Sequence, residues 1–464
     1  MNCARTSGRT EAVVAPKKRF LSACCVFIFA AGSGCATHPV RSSLPHRNLE
    51  GIQRQIRLRG PATLYAGAAR VEITPPVGTP LAGYSRRKGR PSQGVRDPLY
   101  VRALALSDGE DTVLLGSADL LVIPPTLMEK VVRRFSSELH LPRQAIILAA
   151  THTHSGAGAI APGFLYQIAF GRYNPRIEAM IIDRLIQAAR QALEHRQPVR
   201  WGLGVQEDFL GGLVENRMIP GGSVDAGLRV LLLESLEGRP QAIMVNAAAH
   251  PTLLSSKQMR FSADYPGALT QQIEAAYPGV VCLFVNGAAG DLRPRGSVLS
   301  PANNEERVYR FGRVLAEGTT GLVNQLRLES KGDLAAWGGR FPLPLPRIHL
   351  GPVPLHPLLG RLIRPSSAYL NLVALNRTVF VPLVMEMTTD LGNGLKEKLS
   401  AEGLQPVLMG YADGYLGYAV TPAQYKKIGY EVQMSWYGPH GGEMQVEELI
   451  QLAHLLQEAR RVVR

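Results

Sequence analysis

Beyond Cys35 the chain has a single cysteine, Cys282. An internal disulfide is therefore excluded there, and Cys282, inside the apolar run Val280 to Val285, reads as a core residue. Aromatic residues make up only 6% of the chain, so base stacking on nucleic acid is not suggested. There is no low-complexity tract, heptad run or fixed repeat, which excludes coiled coils and solenoids. Acidic charge is the scarcer sign, 37 residues against 51 basic ones, for a net +14. Five basic residues and Glu11 fall in the first nineteen positions, leaving about +10 scattered over the rest. That reads as a basic solvated surface, compatible with anionic lipid heads but not a nucleic-acid footprint.

What is present is an ordinary globular composition, 45% hydrophobic and 19% charged over 464 residues. Lys17-Lys18-Arg19 precede an apolar run from Phe20 to Ala31, which ends in Gly32-Ser33-Gly34-Cys35. A basic start, a short apolar core and small residues read as a secretory signal. The run is shorter than the roughly 20 residues of a membrane-spanning helix. Cys35 resembles the cysteine of a lipoprotein cleavage box, although Gly32 stands where such boxes usually carry Leu. The expectation is a signal peptide of lipoprotein type over 1–35 and a polar tether over 36–63. The exported protein is then periplasmic, anchored in the outer membrane through Cys35, or secreted after simple cleavage.

The folded part is expected over 64–464 as a layered α/β domain, a mixed sheet flanked by helices. Apolar runs predict strands over 101–106, 112–117, 145–150, 201–206, 228–234, 242–247, 280–285, 370–375 and 378–384. Helical spacing predicts helices over 125–140, 176–196, 265–277, 304–327, 391–402 and 443–461. In the second helix Ile177, Ile181, Leu185 and Ala188 share a face, with Asn174 as cap and Pro175 in the first turn. The Pro- and Leu-rich stretch 341–366 has neither period and is expected to be a long ordered loop, a lid or substrate wall.

Four segments carry chemistry. The apolar strand ending at Ala150 runs into Thr151-His152-Thr153-His154-Ser155-Gly156, a dense histidine pair at a strand end, where α/β folds place sites. A second strand ends at His250-Pro251, a third leads to Glu386 among apolar neighbours, and Pro382 within it suggests an edge or bulge. Two imidazoles and a carboxylate are a recurrent zinc set. Bound zinc brings the pKa of water to roughly 7 and so supplies a hydroxide at neutral pH. Tyr411-Ala412-Asp413-Gly414-Tyr415-Leu416-Gly417-Tyr418 fits a polar cavity wall, and surface packing of the tyrosines is the alternative.

In this order the four segments resemble the catalytic domain of the neutral (alkaline, non-lysosomal) ceramidase family. The resemblance extends through Glu72-Ile73-Thr74-Pro75-Pro76, Leu81-Ala82-Gly83-Tyr84, Asn216-Arg217 and Tyr430-Glu431. It implies a zinc ion held by His152, His250, Glu386 and Tyr418. It also implies His154 at the reacting carbonyl, Arg217 near the substrate and Tyr430 as an oxyanion donor, with Asp119 and Asp264 orienting ligands. The family's active-site serine falls at Arg293, in Gly290-Asp291-Leu292-Arg293-Pro294. This suggests an anionic or differently shaped head group rather than ceramide itself. The chain ends near the family's catalytic-domain boundary, so its C-terminal sandwich domain is expected to be absent. The expected activity is zinc-dependent hydrolysis of an amide in a lipid-like or N-acylated substrate. An ester or other acyl hydrolase, or an inactive ligand-binding envelope lipoprotein, are the alternatives.

Overall fold

Alternation along buried strands decides the layering. The computed structural model describes residues 53–56, 60–296, 303–350, 353–354, 356, 360–361, 363–427 and 429–463. The proposed signal peptide, Cys35 and most of the expected tether lie outside the described residues. The main strands are β1 (Gln53–Ile56), β2 (Tyr65–Glu72), β3 (Tyr100–Ser107), β4 (Thr112–Ala118) and β5 (Ile146–Ala150). They continue as β6 (Gln197–Gln206), β7 (Leu228–Ser235), β8 (Pro240–Ala247), β9 (Val281–Asn286) and β10 (Leu334–Pro342). The last three are β11 (Ser367–Leu375), β12 (Thr378–Pro382) and β13 (Gln405–Met409). An eight-stranded sheet runs β9-β8-β7-β6-β2-β3-β4-β5, and a five-stranded sheet runs β1-β10-β11-β12-β13.

In β7, Leu231 and Leu233 join one cluster while Val230 and Leu232 join another. In β5, Ile147 and Ala149 go with the first group, and Ile146 and Leu148 face the opposite way. The shared cluster also contains Leu334, Ala336, Val373, Leu375, Phe380, Val407 and Met409 of the smaller sheet. The two sheets therefore pack face to face, each burying one side chain in two against the other.

Helices cover the outer faces. On the larger sheet these are α1 (Pro125–Leu139), α2 (Pro175–Glu194), α3 (Asp264–Ala276) and α4 (Asn304–Val323). On the smaller sheet they are α5 (Thr389–Ala401) and α6 (Gly441–Val463). The result is a four-layer α/β arrangement with two mixed sheets. Helix α2 forms as its sequence dictates: Asn174 Oδ1 accepts from Arg176 N at 3.0 Å, and Ile177, Ile181, Leu185 and Ala188 are buried. Cys282 is a buried free thiol.

Three expectations change. The stretch 341–366 is not a loop throughout, because β10 extends to Pro342 and His349–Leu350 pairs with Val353–Pro354. Strand β10 escapes a sequence pattern because Gly338 and Gly339 interrupt it; a Cβ at Gly338 would collide with the Tyr369 ring. Similarly, Gln53–Ile56 pairs with β10, so the fold reaches into the stretch expected to be tether. Pro382 lies in an interior strand rather than at an edge. It is tolerated because the β11–β12 ladder stops at Phe380, before a missing N–H would matter.

The pairs β4–β5, β8–β9 and β12–β13 are parallel. Beyond their carboxyl ends follow His152, His250, Ala289, Glu386 and Tyr411. Five strand-end loops thus carry candidate groups, at the kind of position where α/β sheets receive ligands.

Candidate metal centre

Two imidazoles and a carboxylate converge in a buried site. His152, His250 and Glu386 are each at most 2% exposed. Glu386 and Tyr418 are direct partners in a two-residue parallel bridge, which sets their side chains next to one another. His152 Nε2 lies 3.1 Å from His250 Nε2, and Glu386 Oε1 lies 3.5 Å and 3.2 Å from the two.

The opposite ring edges explain why these contacts are not ordinary hydrogen bonds. His152 Nδ1 faces Leu121 O at 2.7 Å, and His250 Nδ1 faces Ala289 O at 2.9 Å. A carbonyl can only accept, so both Nδ1 atoms carry the proton and both neutral rings turn an Nε2 lone pair inward. Glu386 Oε1 is buried without a hydrogen-bond partner, while Oε2 accepts from the Tyr415 hydroxyl at 2.9 Å. Three lone-pair donors with their outer edges anchored are a set that fits a divalent cation.

The third histidine of the cluster differs. His152, His154 and His250 can bring ring nitrogens within 4.8 Å of one another. Yet His154 Nδ1 is buried with no hydrogen-bond partner, so no carbonyl fixes its tautomer. Its Nε2 lies 3.3 Å from His152 Nε2. Anchored rings suit ligands and an unanchored ring suits proton traffic, which separates His154 from the other two. Burial, and then His152 and His250, hold its pKa well below the ordinary histidine range. Burial and then Arg217 pull His250 down to about 4.

The tyrosine-rich segment lines the site rather than the surface. Tyr411 stacks on His152 with centroids 3.6 Å apart and planes 7° from parallel. Tyr418 is 4% exposed, and its hydroxyl accepts from Arg217 at 2.9 Å. Arg217 also donates to Gly290 O at 2.8 Å and pairs through Nε with Glu431 at 3.1 Å. Tyr430 stands at the rim, 58% exposed, its ring 5.7 Å from that of Tyr418.

Other expected residues do not meet the cluster. The Arg293 side chain is 56% exposed and its Nε donates to Glu215 at 2.8 Å, across the short Leu292–Pro294 and Val214–Asn216 ribbon. Alternation in that ribbon buries Leu292 and Pro294 and turns Arg293 outward. Asp119 is engaged by Arg102 and Tyr100 N, and Asp264 by Leu254 N and Tyr265 N. Neither orients an imidazole; backbone carbonyls do that instead.

Arg87 was not legible as a site residue, since an isolated arginine carries no spacing signal. It is 1% exposed and donates to Ala82 O, His154 O, Ser155 Oγ and Gln258 O. It therefore ties the histidine loop to the loops on either side. Burial lowers its pKa to about 10.

Fold and cluster together define a layered α/β protein with a buried imidazole–carboxylate centre of metal-binding type. The chain belongs to the neutral/alkaline non-lysosomal ceramidase family, whose N-terminal domain matches residues 65–298. Neutral ceramidase A of Dictyostelium discoideum is 24% identical over 270 residues, 52% of this chain and 37% of that protein. Neutral ceramidase of Mycobacterium tuberculosis is 28% identical over 119 residues, 24% of this chain and 18% of that one. The matches thus span less than two-fifths of those relatives. The crystal structure of neutral ceramidase from Pseudomonas aeruginosa superposes with a TM-score of 0.77 at 18% identity, covering 86% of this chain and 75% of that one. A ceramidase complexed with C2 gives 0.76, also at 18% identity, covering 86% and 76%. These likenesses establish the fold.

Proposed function

We propose that the protein is an exported zinc-dependent hydrolase that cleaves an amide bond in a lipid-like, N-acylated substrate. One observation carries the reading: inward lone pairs on His152 and His250, and the unpartnered Glu386 Oε1, meet within 3.1–3.5 Å in a buried site. His152, His250, Glu386 and Tyr418 would hold the ion. Bound zinc would supply Lewis acidity and lower the pKa of a water toward roughly 7.

The remaining steps belong to the chain's own groups. His154, neutral and unanchored at Nδ1, accepts a proton and returns it to the departing amine. Tyr430, at the rim, donates its hydroxyl to the developing oxyanion. Arg217 holds the Tyr418 oxygen in place, and Tyr415 does the same for Glu386. Export rests on the leader sequence, and the lipid anchor on Cys35.

Elemental analysis of the purified full chain should find one zinc per molecule, reduced in Glu386→Gln. An octanoyl amide and its matched ester, assayed side by side, test the bond. Absence of zinc would refute the metal assignment. Ester turnover without amide turnover would replace the amide assignment.

A further inference from the structure

From Leu334 to Met385 the sequence contains no Asp or Glu, yet it carries Arg340, Arg347, Arg361, Arg364 and Arg377. Arg364 stands apart because it is only 6% exposed. Its guanidinium lies over Trp436, 3.3 Å from the ring centroid, and 5.4 Å from the ring of Tyr166. It hydrogen-bonds the Tyr166 hydroxyl, but its Nε is buried without a partner. Among the described residues no carboxylate pairs with it. Burial pulls the guanidinium below its ordinary pKa, and the groups that oppose this are phenols: Tyr166, Tyr437 and Tyr415.

Other buried arginines have carboxylates or carbonyls opposite them, although Nε of Arg102 and of Arg217 also makes no hydrogen bond. Arg102 meets Asp119 and Glu274, and Arg217 meets Glu431. Arg87 lacks a carboxylate but spends its donors on backbone carbonyls and Ser155 Oγ. Arg364 has its face covered by an indole while its in-plane N–H edge has a single phenol. That edge is the part of a guanidinium that recognises planar oxyanions in a bidentate manner. Burying such a cation without an anion is strongly unfavourable, so its native complement is an anion.

Its position links it to the metal centre. Trp436, beneath Arg364, meets Tyr415 edge-on at 5.7 Å, and Tyr415 donates to Glu386. On the other side, Tyr166 belongs to the helix Phe164–Phe170, whose Ala169 O accepts from Gly83 N at 3.0 Å. Gly83 in turn lies against His154. Arg364 therefore bridges the two walls that flank the histidine–glutamate cluster.

We propose that Arg364 receives an oxyanion, a carboxylate or phosphate, on the head group of the substrate. The substrate class is then N-acylated compounds with an anionic head. This rests on the hydrolase reading above, and a neutral amino-alcohol head would leave the N–H edge unmatched.

The test compares kcat/KM for N-octanoylglycine, N-octanoylethanolamine phosphate and neutral N-octanoylethanolamine in the full-length holoenzyme. At least one anion should be preferred about 10-fold or more, as expected where a buried donor loses its acceptor; which one identifies the source. In Arg364→Met the ratio should collapse to within about 3-fold, with Arg364→Lys intermediate. A wild-type ratio near one, or a proportional loss on all substrates, overturns the proposal in favour of a packing role. If the Met variant melts early, binding to wild type decides. By calorimetry the non-cleavable 4-oxoundecanoate should bind more tightly than 1-hydroxyundecan-4-one, and equal affinities overturn the proposal. If no amide is cleaved but the carboxylate probe binds preferentially in wild type and less so in Arg364→Lys, the hydrolase reading fails and the anion site stands.

Discussion

A Cβ on Gly83 would lie 2.8 Å from His154 Cα and 2.9 Å from both Cβ and Nδ1 of that ring, and its backbone sits at φ +114°. Both the left-handed backbone and the close approach demand glycine there. Gly83→Ala should displace the His154 ring and lower kcat by about 100-fold, since small misplacements of a reacting group are costly. Zinc content, held by other side chains, should be retained; a parallel loss of zinc would mean the ring change spreads to the ligands. The opposite expectation holds for Arg293. Its outward side chain and its partner Glu215 put it beyond the chemistry, so Arg293→Ser should change kcat/KM by less than about 3-fold, the scale of an exposed ion pair. Recovery of a new substrate preference on that substitution would show that the side chain reaches the substrate after all.

Elements were legible to the extent that their patterns were local. Strands β3 to β9 and the six helices follow apolar runs and helical spacing, and the structure places them within a few residues of the expected bounds. Strand β10 was hidden by its paired glycines, and the face-to-face packing of two sheets has no local signature at all. His152, His250 and Glu386 were readable as candidates because each follows a buried strand, and Tyr418 came only with the family resemblance, whereas the contacts of Arg87 and Arg364 lie far apart in sequence. The start of α3 shows the same limit. Asp264 is a non-glycine residue at φ +56°, and its carboxylate accepts from Leu254 N at 3.0 Å and Tyr265 N at 2.7 Å. Burial pushes its pKa up to about 6, above the ordinary value near 4. The folded state then holds a proton that the unfolded chain releases. The contribution of Asp264 to stability is complete below about pH 4 and is lost as pH rises through 6. Urea unfolding of wild type and Asp264→Asn between pH 4 and 7 should therefore differ in slope, the variant lacking this component. Parallel pH profiles would show that the folded carboxyl titrates as it does in the unfolded chain.

At the scale of the whole molecule, the proposed ligands come from both sheets. His152 and His250 follow β5 and β8 of the larger sheet, while Glu386 and Tyr418 follow β12 and β13 of the smaller one. A bound ion would add a further tie between two layers that meet through a shared apolar cluster and a few hydrogen bonds, such as Asn246 to Leu408 O and Asn371 to Ile146 O. The unfolded chain has no such preformed site, so binding energy becomes folding energy. At free zinc about 1,000-fold above Kd the linkage is worth roughly 4 kcal/mol, which for a chain of this size moves Tm by roughly 5 °C. Chelation should lower the melting temperature by about that amount and zinc should restore it. Glu386→Gln should show a much smaller response, because it weakens the smaller sheet's hold on the ion. His154→Ala should keep the full response while losing turnover, since its ring is unanchored and serves the proton rather than the ion. A chelator response lost equally in both variants would instead make His154 a ligand, and the three-histidine grouping the correct description of the centre.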